Sequence, residues 1–129
     1  MEVAPAPVPE RLPRFGLLVQ AAAQPGARLI VLPELFNTGY AYSDANFRLA
    51  EPPDGATVAW MRATAARLDV HLAGSLLLRE RGEIYNALLL MAPDGRTWRY
   101  DKRYPWGWER GYFRPGRGVT VAHSEEYQK

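Results

Sequence analysis

Cysteine is absent from all 129 residues, which excludes a disulfide framework, a thiolate-held zinc and a thiol nucleophile inside this chain. Histidine is scarce, with only His71 and His123, and no His-Glu-x-x-His pair or clustered ligand spacing occurs. No metal site is expected. Long apolar runs are missing: the longest, Ala87 to Ala92, is far short of the ~18 residues that span a bilayer. An excess of one charge is missing too, since 16 basic against 14 acidic side chains leave only +2, and a pI of 9.1 names no nucleic-acid partner by itself. Ser43, Ser75 and Ser124 lack the tight-turn setting of a serine nucleophile, and no phosphate-cradling glycine loop is present. Glu2 stands where a secretory signal carries positive charge, so the start does not read as an export signal. The chain is expected to be soluble and cytoplasmic.

What is present fits one packed domain, with 47% hydrophobic and 23% charged residues. Pro5, Pro7, Pro9 and Pro13 predict a loose, polyproline-like arm over residues 1–13. Leu17, Leu18 and Ala21 give helical spacing over Arg14 to Gln24, stopped by Pro25-Gly26. Arg28 to Leu32 reads as a buried parallel strand covered on both faces. Val58, Met61, Ala65 and Leu68 predict a second helix, with Asp54 placed to accept from its first-turn amides. Val70 to Leu78, Ile84 to Met91 and Thr97 to Asp101 read as a meander of strands separated by Arg81-Gly82 and Pro93-Asp94-Gly95. Val119 to Ala122 resembles the start of a further strand. The order indicates a layered α/β or α+β domain.

Two constellations can carry chemistry. Glu34 follows the hydrophobic run Leu29 to Leu32, and Lys102 follows the strand ending at Asp101; in open α/β sheets working groups collect beyond the carboxyl ends of strands. Converging there, they would pair a proton acceptor with a cationic stabiliser of developing negative charge. The plainer alternative is a Glu34 that caps a turn and a Lys102 that is only solvated. The second constellation is the aromatic loop 98–114, where Trp98, Trp106, Trp108, Tyr100, Tyr104 and Tyr112 interleave with Lys102, Arg103, Arg110 and Arg114. It reads either as a noncatalytic binding module, for instance for single-stranded nucleic acid, or as a rigid loop packed on the domain. Taken alone, Glu109 reads as a solvated acid.

Gly26 to Tyr40 (Gly-Ala-Arg-Leu-Ile-Val-Leu-Pro-Glu-Leu-Phe-Asn-Thr-Gly-Tyr), then Tyr85-Asn86-Ala87, Tyr100-Asp101-Lys102, Glu109 and Phe113-Arg114-Pro115-Gly116 closely resemble the carbon-nitrogen hydrolase (nitrilase) superfamily. The resemblance implies an α/β fold of the four-layer αββα sandwich type, here partial and truncated. Residues 14–129 would form an incomplete carbon-nitrogen hydrolase domain behind the 1–13 arm. It further implies that Glu34 is the general base, Lys102 the catalytic lysine, and Glu109 a second glutamate that helps position the lysine and the substrate. Tyr40, Trp106, Trp108, Tyr112 and Phe113 are the expected substrate-binding side chains. The implied partner is a small amide, nitrile or carbamoyl compound, with no metal, no cofactor, no nucleic acid and no membrane; a homo-oligomer is allowed. In such a site the glutamate deprotonates a cysteine thiol, and the lysine stabilises the tetrahedral species formed by its attack. That cysteine lies in the family beyond the segment starting near Val119. The tail Glu125 to Lys129 departs from the pattern, which reads as a truncated or frameshifted product that is inactive alone and prone to aggregate, or as a subunit completed by another chain.

Overall fold

In the computed structural model, which describes residues 8–41 and 43–125, one four-stranded sheet runs in the order β1-β2-β3-β4. The strands are β1 (Leu29–Val31), β2 (His71–Glu80), β3 (Glu83–Met91) and β4 (Thr97–Asp101). β1 lies parallel to β2, while β2, β3 and β4 form the antiparallel meander that their alternating turns predict. Glu80 pairs with Glu83, so Arg81 and Gly82 alone make the first hairpin, both at positive φ (53° and 79°). Turns of this hand match the twist of the strands they join.

Among the described residues three α-helices precede or interrupt the strands: α1 (Val8–Ala23), α2 (Ala45–Leu49) and α3 (Ala56–Leu68). α1 starts six residues before the predicted helix, so residues 8–13 are helical and not a loose arm; residues 1–7 lie outside the described residues. Arg11, Phe15 and Val19 are its buried residues, with Leu12, Ala22 and Ala23 packed beside the core. This stripe starts at Arg11, ahead of the predicted helix, and burying it offsets the amide that Pro13 removes. The predicted stripe faces the other way: Leu17 is 72% exposed and Leu18 41%. Both stripes obey helical spacing, and only the packing of Phe15 on Phe36, edge to face at 5.3 Å, chooses between them.

α3 buries Val58, Met61 and Ala65 as its periodicity predicts. Its cap differs. Gly55 is the N-cap residue, and the first-turn amide of Thr57 donates to Glu51 Oε1 at 3.1 Å, not to Asp54. α1 and α3 cover the face of the sheet that carries Leu72, Leu76, Leu78, Ala87, Leu89 and Met91, forming the main core. The opposite face carries Ser75, Leu77, Asn86, Leu88 and Tyr100, paired across the strands in the register Ser75–Leu88, Leu77–Asn86 and Leu88–Tyr100. β1 is therefore not covered on both sides: Ile30 is buried, whereas Leu29 and Val31 are 48% and 65% exposed. Val119 to Ala122 forms no strand; Thr120 Oγ1 donates to the Arg99 carbonyl of β4 at 2.6 Å. Among the described residues no helix is long and apolar enough to cross a membrane.

Candidate active site

The chain leaves β1 still bonded to β2, Leu32 N–H donating to the Ala73 carbonyl at 2.8 Å. Pro33 then has no donor to give. Leu35 adopts φ 49°, the left-handed region that a bulky residue enters only under constraint. Its amide donates to Ser75 Oγ at 2.9 Å, and Phe36 N–H to the Ser75 carbonyl at 3.2 Å. Thr38 and Gly39 amides both return to the Leu35 carbonyl, which closes the turn. The elbow sends Phe36 into the core under the helices and Leu35 into a second small core with Leu77, Ile84 and Phe113. Glu34, just before it, reaches over the uncovered face of the sheet.

Lys102 arrives from the other side. Its amide donates to the Asn86 carbonyl at 2.9 Å, which extends the β3–β4 ladder by one rung and puts its side chain on the same face as that of Asn86. Lys102 Nζ lies 3.0 Å from Glu34 Oε1 and 2.9 Å from Glu109 Oε2. Glu109 comes from the 3-10 turn Gly107–Gly111 and is buried. Its carboxylate also accepts from the Trp106 amide at 2.7 Å, which fixes it independently of the lysine. Glu34 has two further donors: Asn86 Nδ2 on Oε1 at 2.7 Å and the Tyr40 hydroxyl on Oε2 at 2.5 Å.

Electrostatics follow from these contacts. Burial pushes the Glu34 carboxyl up, but the hydrogen bonds from Tyr40, Lys102 and Asn86 and the lysine's charge together hold it below the usual carboxylate value. Burial pulls Lys102 down, and its contacts to Glu109 and Glu34 outweigh that and hold it above the ordinary lysine value. Both groups are therefore charged at neutral pH. A cavity of about 230 Å³ opens beside them, lined by Leu32, Glu34, Ser75, Asn86, Leu88, Tyr100 and Lys102. A carboxylate, an ammonium and apolar walls around one small space can take a proton and stabilise an oxyanion on the same molecule.

The residues expected to bind substrate are placed differently from one another. Tyr40 bonds to Glu34 and stacks edge-on against Trp108 at 6.2 Å. Trp108 also packs on Tyr112 and Phe113, at 5.9 and 5.6 Å. Phe113 is buried in the second core, whereas Trp106 stands 76% exposed. None of the five is among the residues lining the cavity beside Glu34. Asn86, which the Tyr85-Asn86-Ala87 motif contains without assigning it a role, and Ser75, which lacks the setting of a nucleophile, do line it. Their signal was a lone amide and a lone hydroxyl, each buried within an otherwise apolar strand, where polar groups need partners. His71 is buried, 3.3 Å from Ser124 Oγ, and among the described residues no group of three His, Cys, Asp or Glu could hold a metal ion.

Known proteins of similar sequence and structure include amidases, a nitrilase and CN-hydrolase superfamily members. The sequence profile of the carbon-nitrogen hydrolase family matches residues 6–127. Omega-amidase YafV from Yersinia enterocolitica is 37% identical over 93 residues, covering 72% of this chain and 34% of the relative. A nitrilase from Pyrococcus abyssi is 30% identical over 102 residues, covering 77% and 39%. XC1258 from Xanthomonas campestris, a CN-hydrolase superfamily protein of solved structure, superposes with a TM-score of 0.87 at 32% identity, covering 96% of this chain and 46% of its own. A mutant of the Nesterenkonia AN1 amidase, from the nitrilase superfamily, superposes at 0.83 with 25% identity, covering 95% and 48%. The chain thus spans about a third of the curated relatives' length and just under half of these solved chains. With a family match from residue 6 to residue 127 and the same fold of sheet and helices, the chain belongs to the carbon-nitrogen hydrolase family.

Proposed function

We propose that this chain supplies the general base and the oxyanion-stabilising cation of a hydrolase for small nonpeptide amides, and that the 129 residues alone do not turn over. The observation that carries the reading is the bridge through Lys102 Nζ, 3.0 Å from Glu34 Oε1 and 2.9 Å from Glu109 Oε2. The amidase names among the relatives favour an amide over a nitrile.

In this reading Glu34 takes the proton of a thiol, the thiolate attacks the amide carbon, and Lys102 meets the charge that builds on the oxygen. The proton then passes from Glu34 to the departing ammonia. Water, deprotonated by the same carboxylate, cleaves the thioester and releases the acid. Glu109 keeps the ammonium aimed, while Asn86 and Tyr40 keep the base in place. The thiol is the missing part, because the sequence holds no cysteine.

The test measures ammonia released from small primary amides by the pure chain, alone and mixed with a polypeptide carrying the cysteine-bearing remainder of an omega-amidase relative. The chain alone should release none, and the mixture should release ammonia that Glu34→Gln abolishes. Release by the chain alone, or release by the mixture that ignores Glu34→Gln, overturns the proposal.

A further inference from the structure

We propose that Glu51 is a positioning residue for Glu34: acting through Asn37, it locks the left-handed elbow from which Glu34 reaches Lys102. Glu51 lies outside the cavity and touches none of the charged groups there. Its contacts run elsewhere. Oε2 accepts from Asn37 Nδ2 at 3.0 Å, and Oε1 accepts from the Thr57 amide at 3.1 Å. Its main chain is itself tied to the sheet, its N–H donating to the Leu77 carbonyl at 3.0 Å and its carbonyl accepting from Arg79 N–H at 2.7 Å.

These bonds close a short circuit. Ser75 on β2 holds Leu35 and Phe36; Asn37 follows directly and is held by Glu51; Glu51 is bonded back to β2 at Leu77, two residues from Ser75. An open chain of contacts lets each member drift, whereas a closed one fixes every member against the others. Asn37 is fully buried, and its amide nitrogen spends both hydrogens inside the circuit, the second on Thr57 Oγ1 at 3.1 Å. The carboxylate bond is charge-assisted and so the stronger of the two. On the far side of the same turn Arg11 Nη1 donates to the Phe36 carbonyl at 3.4 Å.

A plainer role is open to Glu51, because a carboxylate at a helix N-terminus stabilises the helix without any bearing on a distant site. The two roles separate in what they do to Glu34. Loss of a cap weakens α3 and stops there. Loss of the circuit frees the elbow, and Glu34 gives up some of the donors that hold its carboxyl below the usual value.

The inference rests on the reading of Glu34 as the base, but its test needs no turnover, so failure of one leaves the other standing. The Glu34 carboxyl carbon is followed by NMR titration, assigned by its loss in Glu34→Gln. Glu51→Ala and Asn37→Ala should each raise the midpoint, and the double variant should raise it no further than the larger single. Val58→Ala, which loosens the same helix without touching Asn37, should leave it in place. If Glu51→Ala does not fold, Glu51→Gln serves: Asn37 and Thr57 donate to different oxygens of the carboxylate, and in the amide one of those two positions becomes an NH₂ that faces a donor, so it too should raise the midpoint. An unmoved midpoint in the Glu51 variant, additive shifts in the double, or an equal shift in Val58→Ala overturns the proposal.

Discussion

Glu34 and Lys102 stand 68 residues apart in sequence, and their head groups meet at 3.0 Å although β1 and β4 are opposite edges of the sheet. Two strands separate them. The gap is bridged because the Leu32–Phe36 segment continues along β2 past the end of β1, and because Lys102 is bonded through its amide to β3. The pair is thus assembled over the middle of the sheet, at Asn86, by backbone hydrogen bonds that fix both approaches.

Lys102→Met should destabilise the fold. Glu109 is 3% exposed, and without the ammonium its carboxylate stays buried and charged with the Trp106 amide still donating to it. Breaking a fully buried pair costs about 3–5 kcal/mol, and the partly open lysine reduces that to about 2 kcal/mol here. Glu109→Gln added to Lys102→Met removes the stranded charge and should return about half of the loss. Urea denaturation of the two variants against the parent checks both values, and a double variant less stable than Lys102→Met would contradict the account.

The same cluster sets the acid limb of stability. The folded Glu34 carboxyl sits below its ordinary value of about 4.3, so its contribution is present above that pH and is lost as pH falls through the folded value. Glu34→Gln should therefore lose less stability than the parent between about pH 6 and about pH 3. Lys102 works at the other end: held above the ordinary lysine value, its contribution persists through neutral pH and is lost only as pH rises through the folded value. Thermal melts across the acid range decide the first point, since equal slopes for parent and Glu34→Gln would remove Glu34 from the cause.

Much of this architecture is legible in the sequence where local chemistry and packing agree. The run Leu29 to Leu32 closed by Pro33, the meander with its Arg81-Gly82 turn, and α3 with Val58, Met61 and Ala65 are all of this kind. Signals fail where two faces of one helix both look apolar, as with Leu17 and Leu18 against Phe15 and Val19, because only the partner Phe36 decides. The cap of α3 was hidden for a related reason. Asp54 is nearer in sequence, but Glu51 is anchored to β2 and so arrives preset. In the site, the carboxylate and the lysine were marked by their positions after strands. Asn86 is marked by its place in Tyr85-Asn86-Ala87 and as an amide within a largely apolar strand, but neither assigns it a task, and its bond to Glu34 needed the fold.

Ser75→Ala should cost more than a surface hydroxyl usually does. Ser75 Oγ is the acceptor for the Leu35 amide, and the serine is buried between the elbow and the sheet. Removing it strands a buried N–H, at about 1–3 kcal/mol. Ser75→Thr keeps the oxygen and should lose less, so a chemical-denaturation series that ranks Thr below Ala would count against this role.

Leu35 offers a sharper test, because two opposing effects meet at one residue. Its side chain is fully buried among Leu77, Ile84 and Phe113, so truncation to alanine should cost about 2–5 kcal/mol in lost burial and cavity. Its backbone, at φ 49°, carries strain of about 1–2 kcal/mol that only glycine avoids. Glycine elsewhere is the worse replacement, by roughly 0.5–1 kcal/mol against alanine in a regular element. At this position the order should invert: Leu35→Gly leaves a similar void but relieves the strain, so it should be no less stable than Leu35→Ala and by up to about 1 kcal/mol more stable. Denaturant midpoints of the two variants, compared at equal m-value, give the answer directly. If alanine proves the more stable by the usual margin, the elbow is not strained in solution and Glu34 is delivered by a different turn.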